Sequence, residues 1–171
     1  MHWEWDPAKT HQHLFVSSNR SRVAVIGCAG YGASIARPKN GKTNATKIQT
    51  KHSKYTAHLH FRVAVVKEGV GGFAVGIAGA GFRKPFKSIG RHTLGWMLHS
   101  SGSVWHDGKK REGWCKSFGV GDIIGVELRN GCLSFSINNE TQGVAFREID
   151  RASGYFPAVQ PYMGGVAECL S

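Results

Sequence analysis

Nine histidines and four cysteines are the side chains of this chain best suited to metal binding or nucleophilic chemistry. His58 and His60 stand two apart, as do His11 and His13, the spacing that puts two imidazoles on one face of a strand. A structural metal site needs three or four converging ligands. The cysteines, Cys28, Cys115, Cys132 and Cys169, are far apart and form no C-x-x-C. No recognised ligand spacing is present, so neither a metal nor a cofactor is expected. The nucleophile and metalloprotease patterns G-x-S-x-G and H-E-x-x-H are absent. Gly27-Cys28-Ala29-Gly30-Tyr31-Gly32 has its glycines spaced unlike either phosphate-binding loop. A buried, inert thiol is the usual state of a lone cysteine. The chain reads as a non-enzyme.

The cations are more informative. Lys and Arg number 22 against 11 Asp and Glu, for a net charge of +11. Pro7 to Lys67 contains 11 basic residues and no acid. The polar stretch Arg37 to Lys54, which includes Lys39, reads as a basic loop. Phe82 to His92 reads as a second, carrying Arg83, Lys84, Lys87 and Arg91. Such an imbalance speaks to association rather than to fold, and suits an acidic peptide, a phosphorylated segment or nucleic acid. An RNA-binding role is the alternative to peptide recognition, although no RNA-reading motif accompanies the charge. No apolar run approaches the roughly 18 residues of a membrane span. MHWEWDPAKTHQ has neither the basic nor the apolar part of a signal peptide. With dispersed cysteines, this points to an intracellular, reducing setting, cytoplasmic or nuclear.

The elements that must hold these residues are strands. Leu59, Phe61, Val63 and Val65 alternate with His58, His60, Arg62 and Ala64, the period-2 pattern of a half-buried strand. Phe73, Val75 and Ile77 alternate with Ala74, Gly76 and Ala78, which would admit another element closely. Further short runs lie at Leu14–Val16, Val23–Ile26, Leu94–Leu98, Ser103–His106, Ile123–Leu128, Leu133–Ile137, Val144–Phe146, Phe156–Val159 and Val166–Leu170. Asn130-Gly131 is a two-residue hairpin signal of type I′, and Asn138-Asn139 starts another tight turn. There is no capped helical stripe and no internal repeat. Many short strands with frequent turns specify a sandwich, and 171 residues are enough for one domain.

Six pieces occur in fixed order over Gly95 to Pro157: Gly95-Trp96, Val104-Trp105-His106-Asp107-Gly108, Gly121-Asp122-Ile123-Ile124-Gly125-Val126, Leu133–Asn138, Gly143–Phe146 and Tyr155-Phe156-Pro157. Together they resemble the SPRY family of β-sandwich domains. Tyr55–Ala78 extends the match. Trp3 to Asn19 matches weakly, and Gly27 to Lys54 least. The resemblance implies a single all-β domain over 1–171: a bent antiparallel, concanavalin-like sandwich of about 11–13 short strands and little helix. It implies a protein-interaction module, a monomer or part of a larger complex, that binds a protein or peptide through loops at one end. The corresponding loops here would be Tyr31–Lys39, Arg83–His92 and Gln160–Gly165. Tyr31, Tyr162 and Met163 would then be apolar anchors. Arg37, Lys39, Arg83, Lys84, Lys87, Arg91 and His92 would supply charge and polarity. Some family members carry tryptophan about where Met163 stands, so their peptide motifs do not transfer. Trp96, Trp105, Phe135, Phe146 and Tyr155 would fill the core.

Overall fold

The computed structural model of the protein describes residues 3–12, 14–25, 34–38, 58–82, 88–149 and 154–170. Among them are fourteen strands and one 3-10 turn. The strands are β1 (Trp3–Thr10), β2 (Leu14–Val16), β3 (Arg22–Val25), β4 (Ser34–Pro38), β5 (His58–Lys67), β6 (Val70–Gly79), β7 (Gly95–His99), β8 (Val104–His106), β9 (Lys109–Arg111), β10 (Ile123–Arg129), β11 (Cys132–Ile137), β12 (Glu140–Phe146), β13 (Tyr155–Met163) and β14 (Val166–Leu170). The 3-10 turn, Ile89–Arg91, precedes β7. The count exceeds the expected 11–13 because very short pieces pair. One of them, β9, is wholly basic and has no apolar residue to reveal it.

Two seven-stranded sheets face each other, and every pairing is antiparallel. The first runs β1-β4-β13-β6-β7-β8-β9 and the second β12-β11-β10-β5-β14-β3-β2. The alternation of β5 buries Leu59, Phe61, Val63 and Val65 while His58 and His60 are exposed. Those side chains meet Ile124, Val126 and Leu128 of β10 and Phe73, Val75 and Ile77 of β6 in one inter-sheet core. Burying each such side chain is worth about 1.5–3 kcal/mol.

Turn chemistry sets the register. Asn130 and Gly131 have φ of 50° and 71°, the left-handed pair that a type I′ turn requires, and β10 and β11 pair directly across it. Asn138 and Asn139 likewise have φ of 52° and 68°. Asp122 fastens the loop before β10: its carboxylate accepts the Gly119 N–H at 2.8 Å and the Asn138 side-chain amide at 2.7 Å.

β6 is buried on both faces, and this shapes the functional surface. Its inner residues join the main core. Ala74 and Ala78 instead join Phe82, Ile89, Met97 and Ala158 in a second apolar cluster on the outer face of the first sheet. Gly76 is required there because a Cβ would lie 1.9 Å from the Trp96 carbonyl oxygen. Ile89 of the 3-10 turn, which is fully buried, seals this small-residue face.

Three loop assignments change. Arg37 and Pro38 belong to β4, so the strand occupies the start of the expected 37–54 loop and most of Tyr31–Lys39. Gln160–Met163 continue β13, leaving only Gly164 and Gly165 for the turn into β14. The end of the 82–92 segment is a buried 3-10 turn rather than an open loop.

Candidate functional site

The 3-10 turn does more than cover β6. The Ile89 N–H donates to Oε1 of Gln160 at 3.0 Å, a bond buried beneath the turn. Gly90 lies against Trp105, close enough that a Cβ on it would come within 2.7 Å of the Trp105 Cβ. The Gly108 N–H closes on the Gly90 carbonyl at 3.1 Å. The turn therefore stretches across the outer face of the first sheet, from β13 to the β8–β9 hairpin. It forms one wall of a groove of about 750 Å³, within the range of ligand-binding clefts.

The opposite wall is a chain of polar groups. Trp105 Nε1–H donates to Ser103 Oγ at 3.2 Å, and the Ser103 and Ser101 hydroxyls are 3.0 Å apart. Ser101 Oγ is 2.9 Å from Nδ1 of His99, which also accepts the Ser101 backbone N–H at 3.1 Å. Because that N–H can only donate, Nδ1 is the acceptor and Nε2 carries the proton, placed 3.1 Å from the Gly71 carbonyl. His99 is thus held as the neutral Nε2–H tautomer. Its pKa is lowered, first by burial and then by Lys110, against opposing pulls from the Gly71 carbonyl and Glu68. Tyr162 meets the His99 ring edge to face at 5.6 Å and closes this end.

The floor is apolar, formed by Ala74, Met97 and the half-buried Trp105. Two cations edge it. Arg91 is exposed at the end of the 3-10 turn. Lys110 lies 5.3 Å over the Trp105 ring and forms an ion pair with Glu112. No acidic residue lines the groove among the described residues.

Of the residues singled out from sequence, Arg91 and Tyr162 both line this groove. His92 sits beside it as support. Its Nδ1 accepts the Leu94 N–H at 3.1 Å, and its ring packs on Phe82 at 4.9 Å. Met163 pairs with Val70 at the end of β13, away from the lining. Arg37 is placed by its backbone in β4. Tyr31, Lys39, Arg83, Lys84 and Lys87 lie outside the described residues. Trp105 departs from its expected core position. Trp96, Phe135 and Tyr155 are in the main core and Phe146 packs on its edge. In β8, however, Val104 faces that core and His106 stacks on Trp96, so strand alternation turns Trp105 outward. That alternation was the available signal. His99 and Lys110 had none, because only folding brings β7 and β9 to the groove.

Among the described residues there is no cluster of metal-ligating side chains. Cys115, Cys132 and Cys169 are free thiols. Burial pushes the Cys169 thiol up to about 12, making it unreactive in the folded chain. Among the described residues, no helix is long and apolar enough to cross a membrane.

A family model for the SPRY domain matches residues 58–170. The chain belongs to the SPRY family. Solved structures extend the likeness in fold to the N-terminal strands. The SPRY domain of human HERC1 superposes with a TM-score of 0.73 at 22% identity, covering 98% of this chain and 97% of that one. A second human SPRY domain gives 0.66 at 18% identity over 92% and 94%. The TRIM65 PSpry domain gives 0.70 at 17% over 100% and 93%. No curated relative matches the chain. SPRY domains are protein-interaction modules.

Proposed function

We propose that this SPRY domain is a non-enzymatic recognition module that holds an acidic or phosphorylated segment of a partner protein in the groove across its first sheet. The observation that carries the reading is the composition of the groove: an apolar floor at Met97 and Trp105, cations at Arg91 and Lys110, and no acid in the lining among the described residues. Aromatic and arginine side chains dominate the energy of protein interfaces, and a cationic rim selects against basic partners. Free thiols at Cys115, Cys132 and Cys169 suit a reducing, intracellular setting.

The test is affinity purification of the tagged chain from its own cells, with and without nuclease, beside the double variant Arg91→Glu/Lys110→Glu. A discrete protein retained after nuclease and lost on the variant, with the melting temperature within about 2 °C of wild type, is the expected result. Recovery that collapses with nuclease would instead assign the positive charge to a nucleic-acid backbone. Retention on the variant would remove the groove from the interface.

A further inference from the structure

The groove crosses the strands rather than following them. Its floor and rim come in order from β13 (Gln160, Tyr162), β6 (Ala74), β7 (Met97, His99), β8 (Trp105) and β9 (Lys110). Neighbouring strands are about 4.8 Å apart, so five strands span about 19 Å, the length of about six extended residues. A ligand lying in it therefore runs across the sheet and does not add a strand to an edge.

The two ends of the groove differ. The turn brings Gly90 against Trp105 of β8, with Arg91 next along the chain, and Lys110 of β9 sits over the same indole. The far end, at β13, is closed by Tyr162, which packs on the His99 ring and brings no charge. Among the described lining residues the Lys and Arg side chains are Arg91 and Lys110, so an acidic side chain is favoured at the β8–β9 end. The small side chain of Ala74 and the buried Met97 then form the only apolar floor among the lining residues inward of Trp105. From β9 to β7 is two strand spacings, about 10 Å, or about three extended residues.

We infer that the ligand is an extended partner segment of about six residues with a defined motif. An acidic or phosphorylated side chain engages Arg91 and Lys110, and a large apolar side chain about three positions away packs on Ala74 and Met97. This rests on the groove being the binding site proposed above. The charge fixes which end the acid occupies, and the strand spacing fixes the interval to the apolar residue. Lys110 exchanges Glu112 for the ligand's anion at little net cost, since the pair is exposed.

The experiment is selection of a displayed library of random 12-residue peptides on the full folded chain, repeated on Arg91→Glu, with enriched peptides then titrated against wild type and Arg91→Glu/Lys110→Glu. The expected outcome has two parts. Wild type enriches an acid about three positions from Leu, Ile, Met, Phe or Trp. Arg91→Glu loses the acid but keeps the apolar preference, and wild-type peptides bind the double variant at least about tenfold more weakly. Peptides that lose affinity on the double variant but show no fixed acid-to-apolar interval would overturn the motif and leave the groove as the site. Enriched peptides that bind both proteins equally would overturn the groove itself, and absence of any enrichment would overturn both.

Discussion

His99 carries a pH dependence whose sign its hydrogen bonds determine. Nδ1 accepts the Ser101 N–H and Nε2–H meets the Gly71 carbonyl, so a second proton on Nδ1 would set two donors face to face. The pKa lies below its usual 6.5, burial being the main cause. The unfolded chain, with the ordinary value, therefore binds more protons than the folded one in the interval between the two pKa values. Stability is unaffected well above that interval. It falls as pH drops through 6.5, and the loss stops below the folded-state pKa. Wild type should lose more stability between about pH 7 and about pH 5 than His99→Gln, measured by chemical denaturation at each pH. Equal losses in the two proteins would mean that His99 is not the group responsible. An acid-induced NMR shift of the Ser101 amide, expected in wild type, would report the same event locally.

At the scale of elements, the groove depends on the 3-10 turn Ile89–Arg91, and that turn depends on one buried side chain. Gln160 is 1% exposed, and its amide oxygen takes the Ile89 N–H. Gln160→Met keeps the length of the side chain but deprives a buried N–H of its acceptor, which costs about 1–3 kcal/mol. Urea denaturation should show that loss with an unchanged slope, and binding of a groove ligand should weaken with it. A loss of stability without loss of binding would show that the wall keeps its place by apolar packing of Ile89 alone. This dependence also explains how much of the molecule could be read in advance. The alternation of Leu59–Val65, the Asn130-Gly131 turn and the ordered pieces from Gly95 to Pro157 are local signals, and each corresponds to an element that forms as expected. The small residues Ala74, Gly76 and Ala78 announced that something approaches closely, but not that it would be Ile89. The site is non-local: Tyr162, His99, Trp105 and Lys110 come from four strands that meet only through sheet order. Arg91 and Tyr162 were singled out in advance as loop residues; both line the groove, but Tyr162 does so from a strand. Lys110 was not, because Lys109–Arg111 is indistinguishable in sequence from a solvated charge run.

At the scale of the whole molecule, the net charge of +11 acts over a longer range than the groove contacts, and the two separate by their response to salt. On the proposed reading, the field of the entire chain steers an anionic partner during approach, whereas the bound state rests on the apolar floor and two rim cations. Raising ionic strength from about 0.1 M to about 1 M shortens the screening length from about 10 Å to about 3 Å. For an acidic peptide seated in the groove, association should slow by about tenfold or more over that range while dissociation changes by only a few fold. Stopped-flow or surface-based kinetics with a selected peptide would measure both. A nucleic-acid ligand behaves differently, because each neutralised phosphate releases a counterion and the equilibrium constant falls with a slope of about −0.7 to −0.9 per contact. Six or more such contacts would abolish binding well before 1 M salt. A steep slope of that kind, unaltered by Arg91→Glu/Lys110→Glu, would place the working surface of this SPRY domain on its other basic residues and not in the groove.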